Sequence, residues 1–211
     1  MSKRSDKPTM PRWAGLLAMA LGAVMLSPAA FAGTLRNSAS NSAGGATGGT
    51  FLSAYFDFGA GDNLLRLENP TAANGNLCAM IYVFNTSERM GECCGCLLTP
   101  NELLESSIKT VLGTGWGFGG GPPSSGVIQI VTAMPNNNRQ CSPQQAYSVT
   151  PTLDGWVTHP QTLASISTLT EVPLKDNGSA DPVEAASLIG DCGAILGNGS
   201  GTGSCTCPIF E

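Results

Sequence analysis

The sequence predicts a mostly β domain, either sandwich-like or α+β with two short helices, that is braced by disulfides. Several short runs of β-branched, aromatic and aliphatic residues are separated by turn signals, and only two brief stretches carry helix-start signals. Eight cysteines are present among 211 residues. Many short strands with few helices favour a sandwich or an α+β layer over an alternating α/β fold.

The chain begins with a predicted secretion signal over residues 1–32. Four basic residues and one acid precede an uncharged run from Trp13 to Leu26, and alanines occupy positions 30 and 32. This is the order of segments in a cleavable signal, and the apolar run is shorter than the roughly 20 residues that span a bilayer. We therefore expect cleavage after Ala32, no membrane insertion afterwards, and a secreted, periplasmic or cell-surface location.

Two regions are predicted to follow the signal. Residues 33–50 consist mainly of Gly, Ser, Ala, Asn and Thr, which bury too little apolar surface to offset the entropy of ordering, so we expect a flexible leader. Residues 51–211 have the length of one domain with a core of its own.

The predicted strands follow from local composition. Leu65 and Leu67 alternate with polar neighbours, as on a half-buried strand, whereas CAMIYVF at 78–84 is apolar on both faces, as in a central strand. The remaining predicted strands are 51–58 and 125–133, with weaker ones at 107–112 and 169–174.

Two helix starts share one pattern. Thr99 and Asp181 each offer a capping oxygen, with proline next and glutamate three residues later, so helices are predicted to about Glu105 and over 185–196. In the second helix, residues at helical spacing form a predicted buried face. They are Val183, Ala186, Ile189 and Cys192.

The charge balance excludes polyanionic partners. Without residues 1–32 the chain keeps six basic and fourteen acidic residues, a net charge of about −8. Nucleic-acid binding requires Lys and Arg to neutralise phosphates, and acidic membranes attract basic segments, so neither is an expected partner.

The cysteines are predicted to form disulfides, because export leads to an oxidising compartment. They are Cys78, Cys93, Cys94, Cys96, Cys141, Cys192, Cys205 and Cys207. On extended chain Cys94 and Cys96 share a face opposite Cys93, so the adjacent pair should have different partners. One interpretation ties the C-terminal tail to 93–96 by one or two disulfides. The alternative, a zinc site of four thiolates, is disfavoured by the one-residue spacing.

The candidate catalytic residue is His159, the only histidine in the chain. A hydrolase with a histidine base would have to use it, but no G-x-S-x-G nucleophile turn is present. The alternative is a solvated loop residue beside Pro160. We assign no catalytic, metal or cofactor residues.

A glycine-rich loop at 113–121 carries Trp116 and Phe118. It lacks the Lys-Ser/Thr ending of a phosphate-binding loop. Its aromatics, with Trp156 in addition, form a predicted binding surface if they are exposed. The alternative is that they fold back to close one end of the sandwich.

The segments LRLENP, LCAMIYVFN and ERMGECCGCLLTPNEL, followed by SGVIQIVTA and a glycine-rich stretch ending in Cys-x-Cys, resemble a group of uncharacterised cysteine-rich secreted proteins of soil bacteria. This resemblance spans most of residues 33–211. It implies a signal peptide and the cysteine framework, and it carries no functional residues.

The sequence therefore predicts a secreted, non-catalytic structural or binding module at the cell exterior, with an extracellular or cell-surface ligand. Two alternatives stay open, a secreted hydrolase that uses His159 and a thiolate metal-binding protein.

Overall fold

The computed structural model describes residues 50–70, 73, 75–113, 115–116, 122–136, 140–145, 153–163, 166–179, 181–197 and 203–207. They belong to one compact unit, Ser42–Glu211. The predicted signal peptide and the predicted leader, except Thr50, lie outside the described residues.

The described residues form nine strands and one α-helix. In chain order they are β1 (Thr50–Asp57), β2 (Leu64–Glu68), β3 (Leu77–Asn85), β4 (Met90–Leu98), β5 (Leu103–Ser107), β6 (Ser125–Ala133), β7 (Asp154–Leu163), β8 (Ile166–Pro173), β9 (Lys175–Ser179) and α1 (Pro182–Leu196). A large antiparallel sheet has the order β4-β3-β6-β1-β9, and a small antiparallel sheet has the order β5-β2-β7-β8. The predicted mostly β, disulfide-braced domain is confirmed.

The main core lies between the two sheets. Leu65 and Leu67 of the small sheet are fully buried in one cluster with Ile81 and Ile130 of the large sheet. Strand alternation produces this arrangement, since β2 alternates between half-buried and buried positions as predicted. Each such buried aliphatic side chain contributes roughly 1.5–3 kcal/mol of transfer free energy.

A second core lies on the outer face of the large sheet, where α1 packs. The buried side of α1 packs against a cluster that includes Met80 and Tyr82 of β3. Its buried residues are Leu188, Cys192 and Ile195. With the main core on one side and this helix on the other, β3 is buried on both faces over its first seven residues, as predicted.

The predicted helix at Thr99 is wrong. One of the two capping hydrogen bonds forms, in which the Glu102 carboxylate accepts from the Thr99 amide at 2.6 Å; the Thr99 hydroxyl donates to the same carboxylate at 2.7 Å and caps no backbone amide. Asn101 then adopts a positive φ of 60°, and the chain enters β5. The two-residue alternation of β5 buries Leu104 in the main core, which a helix would not do.

The weak strand predicted at 107–112 is also wrong. A short π-helix occupies Ile108–Leu112, and the Ser107 side chain caps it by accepting a hydrogen bond from the Thr110 amide. The turn places both Ile108 and Leu112 in the core between the sheets.

The helix predicted at Asp181 is confirmed, and the Asp181 side chain accepts a hydrogen bond from the Val183 amide at 2.9 Å. Of the four residues on the predicted buried face only Cys192 is buried, so the rest of that face is wrong. Val183 is 75% exposed, and Leu188 and Ile195 face the sheet together with Cys192 instead. The disulfide from Cys192 to Cys93 of β4 fixes this rotation of the helix.

Candidate functional site

All eight cysteines are paired, and three of the four disulfides start from β4. The pairs are Cys78–Cys141, Cys93–Cys192, Cys94–Cys205 and Cys96–Cys207. Cys93 belongs to the outer cluster beneath α1, whereas Cys94 and Cys96 belong to the main core. The predicted alternation and the different partners of Cys93 and Cys94 are therefore confirmed.

The segment 203–207 lies along the edge of β4. The amide of Cys93 donates to the carbonyl of Gly203 at 2.9 Å, and Cys93 bridges to Ser204 in parallel orientation. Both disulfides of this segment span 111 residues, which places it in register with β4. The prediction that one or two disulfides tie the tail to 93–96 is confirmed, with two.

The same geometry bears on the thiolate alternative. The sulfur atoms of Cys94, Cys96 and Cys207 lie within 4.8 Å of one another. Each of them is part of a disulfide, and a zinc ligand must be a free thiolate. In this covalent state the cluster cross-links the tail and offers no thiolate to a metal.

A buried carboxyl group lies beside this junction. Glu92 of β4 is fully buried, and neither of its oxygens has a well-formed hydrogen bond among the described residues. Burial raises the pKa of Glu92 to about 8, and the backbone amide of Gly115 opposes the shift. The carboxyl group is therefore largely protonated at neutral pH, which lowers the cost of burying it.

Trp116 and Trp156, two of the three predicted surface aromatics, lie in different environments. Trp116 is only 8% exposed and belongs to the main core, where its ring lies so close to Gly91 that a Cβ there would approach it within 2.3 Å. The prediction that Trp116 is exposed on a binding surface is therefore wrong. Its ring folds back onto the domain, which was the alternative interpretation of this loop. Phe118 lies outside the described residues. Trp156 is half-buried on the outer face of the small sheet, where it pairs with Arg66.

His159 lies on β7 and is 5% exposed, so the alternative of a solvated loop residue is wrong. Its ring stacks on Tyr55 with centroids 4.5 Å apart, and Nε2 has no hydrogen-bond partner among the described residues. Burial lowers the pKa of His159, and the charge of Asp57 opposes this shift.

A pocket of about 230 Å³ adjoins His159. Its lining is mostly apolar and includes Val157 and Val172, with Ser53 and Lys175 as polar members. The Ser53 hydroxyl accepts a hydrogen bond from the side-chain amide of Asn177 at 2.9 Å. Within the described ranges, no hydroxyl or carboxylate bonds to Nε2, so these residues do not form the nucleophile–base contact that a serine hydrolase requires.

A larger groove of about 390 Å³ runs between α1 and the outer face of the large sheet, and we call it the α1 groove. Phe84 and Val127 of the large sheet form its apolar floor, and Leu188 lines it from α1. Three carboxylates also line it, those of Glu88, Glu184 and Asp191.

The register of the large sheet creates the apolar floor. Phe84 of β3 pairs with Val127 of β6, which pairs in turn with Tyr55 of β1, so the three side chains form one row on the outer face. Tyr55 is 54% exposed and Val127 is 38% exposed. The row is thus open to a ligand and continues towards His159.

Among the residues that line the α1 groove in the described structure, none is basic. Three carboxylates around an apolar floor create a negative local potential. The groove can thus attract a cation and hold an apolar group beside it.

No helix within the described part of the chain combines the length and apolarity needed to cross a membrane. Comparison of the chain with protein-family models, curated proteins and solved structures found no significant match.

Proposed function

We propose that the protein is exported and acts at the cell exterior as a non-catalytic binding module whose ligand site is the α1 groove. The observation that carries this proposal is an open groove of about 390 Å³ that combines an apolar floor with three carboxylates. Concave, mostly apolar surfaces with a few convergent polar groups are where proteins bind small ligands and peptide segments.

The proposed ligand carries a positive charge next to an apolar or aromatic group. Glu184 and Asp191 lie on α1, and Glu88 lies across the groove in the turn between β3 and β4, so carboxylates approach a bound cation from both sides. The ring of Phe84 and the side chain of Val127 provide the apolar contact between them. A peptide segment with Arg or Lys beside an aromatic residue has this chemistry.

The four disulfides support the exported location. Each of them closes a loop of 63 to 111 residues, and such bonds persist in oxidising compartments outside the cytoplasm. They hold α1 and the tail against the large sheet, which keeps one wall of the groove in place without a ligand. A preorganised site loses less entropy on binding.

We expect the neutral triple variant Glu88→Gln, Glu184→Gln, Asp191→Asn to bind acetyl-Phe-Arg-amide about tenfold more weakly than the wild type. Each partly exposed ion pair contributes roughly 0.2–1 kcal/mol, so three of them account for a change of this size. Isothermal titration calorimetry at low and high salt measures it, and added salt should weaken wild-type binding.

Two controls accompany this titration. Asp154→Asn removes an exposed carboxylate at the start of β7, outside the groove, and should leave the affinity unchanged. Acetyl-Phe-citrulline-amide has nearly the shape of the arginine peptide without its charge, and it should bind the wild type as weakly as the triple variant binds the charged peptide. Equal affinity of the wild type for both peptides would reject a cation-binding groove.

Export has its own test. Mass spectrometry of the protein from the periplasm or the culture medium is expected to give an N-terminus at Gly33, since the alanines at positions 30 and 32 suit the signal peptidase. An intact Met1 in the membrane fraction would contradict both the cleavage and the location.

A further inference from the structure

The four edge strands of the two sheets are protected to different degrees. Segment 203–207 lies along β4, and β9 is short, carries Lys175 and Asp176, and has a register shift opposite β1. β5 has only five residues and leads into the π-helix. Short strands, charges, irregular pairing and covering segments are the devices that prevent edge-to-edge association.

β8 is the other edge strand of the small sheet, and among the described residues no further strand pairs with it. It has eight residues, pairs with β7 without a register shift, and has no buried side chain. Ile166 and Leu169 are 64% and 72% exposed, and Glu171 is the only charged residue of the strand. A long regular edge with exposed apolar side chains is a template for another strand.

The β7–β8 ribbon also extends past the rest of its sheet. β2 pairs with β7 only from Asp154 to Thr158, so among the described residues the strand pairing of 159–163 is with 166–170 of β8 alone. An isolated two-stranded ribbon is at best marginally stable in water. Two further strands from another molecule, added at the free edge of β8, would make this part of the sheet four-stranded.

We propose that β8 pairs antiparallel with β8 of a second copy of this chain, so that the small sheets of two molecules form one continuous sheet. Antiparallel pairing of identical strands has twofold symmetry, the commonest symmetry of soluble oligomers. This inference is independent of the proposed ligand groove.

The sequence of β8 selects a register centred on Leu169. In that register Leu169 faces its own copy, Thr168 faces Thr170, and Ile166 faces Val172. Glu171 lies opposite Ser167, so no like charges meet. Pairs of this kind stabilise antiparallel strands, whereas a shift of the centre to Thr170 would place Leu169 against Glu171.

The contact is small, because one strand edge buries much less than the about 1,200 Å² of a standard stable interface. The dimer is therefore weak and concentration-dependent. Sedimentation velocity of the exported protein, from micromolar to millimolar concentration, should show a monomer–dimer equilibrium. A monomer throughout this range would overturn the proposal.

Charge variants at Leu169 test the site of association. Leu169→Lys opposes two positive charges across the twofold axis and should raise the dissociation constant at least about tenfold. Leu103→Lys, at an exposed position on the β5 edge of the same sheet, is the matched control and should leave the constant unchanged. An equal effect of the two variants would overturn pairing through β8.

Mixing Leu169→Lys with Leu169→Glu protein tests the register. Each variant alone should be monomeric at concentrations where the wild type dimerises, and the mixture should form a one-to-one dimer because opposite charges then meet. A mixture that stays monomeric would overturn the pairing centred on Leu169.

Discussion

Removal of either tail disulfide alone is expected to lower the free energy of unfolding by about 1 kcal/mol or less, whereas removal of both should lower it by about 3 kcal/mol. Cys94–Cys205 and Cys96–Cys207 join the same two segments in register, so either bond already closes the loop that the other would close. With Cys93–Cys192 intact, that loop runs from α1 to the tail and has about 15 residues, for which the chain-entropy cost is about 3 kcal/mol.

Equilibrium unfolding in urea of the two double Cys→Ala variants and of the combined quadruple variant measures this non-additivity. Both cysteines of a disulfide are replaced by alanine together, so no free thiol remains that could exchange with the other disulfides. If one of the double variants lost as much stability as the quadruple variant, the two bonds would not be redundant, and the in-register tail would be contradicted.

We expect the domain to lose stability as the pH rises from about 4.5 to about 8, and Glu92→Gln to abolish most of this loss. Burial raises the pKa of Glu92 from 4.5 to about 8, so in this window the folded state holds a proton that the unfolded state has released. Stability then falls as the pH rises. Each pKa unit corresponds to 1.36 kcal/mol, which sets an upper limit of roughly 4–5 kcal/mol on the full change.

The direction of this pH dependence distinguishes Glu92 from the usual paired carboxylate, whose contribution to stability is lost on acidification. The contribution of Glu92 is complete below about pH 4.5 and is lost as the pH rises through about 8. Urea unfolding of the wild type and Glu92→Gln at pH 5 and pH 8 measures the difference. Asp154→Asn, which alters an exposed carboxylate on the small sheet, should keep the pH dependence of the wild type. Equal pH dependence of the wild type and Glu92→Gln would contradict a protonated buried carboxyl group.

Local patterns were sufficient for the strands that form the main core. β2, β3 and β6 were predicted from alternation or from continuous apolar runs, because their burial repeats along the chain. Strand alternation also placed Cys94 and Cys96 on one face opposite Cys93, which the pairing confirms. The remaining partners, Cys141 for Cys78 and Cys192 for Cys93, depend on strand order and helix position, which local pattern does not specify.

The errors have tertiary causes. The Glu102 carboxylate accepts a hydrogen bond from the Thr99 amide in a turn just as it would at a helix start, and the pairing of β5 with β2 makes the residues that follow a strand. The face of α1 depends on its disulfide, since both candidate faces contain apolar residues at helical spacing. The α1 groove was missed because β3, β6 and α1, which are distant in sequence, form it jointly. β7 contains a proline and polar residues, so its sequence gives little strand signal.

The binding site itself is tested most directly by nuclear magnetic resonance, with isotope-labelled wild-type protein titrated with acetyl-Phe-Arg-amide. Ligand binding in the α1 groove predicts saturable shifts of the backbone amides of Phe84, Val127, Glu184 and Leu188, which line it from both sides. Amides of the small sheet, such as that of Arg66, should stay unchanged. An absence of shifts, or shifts centred on the small sheet, would contradict the α1 groove as the ligand site.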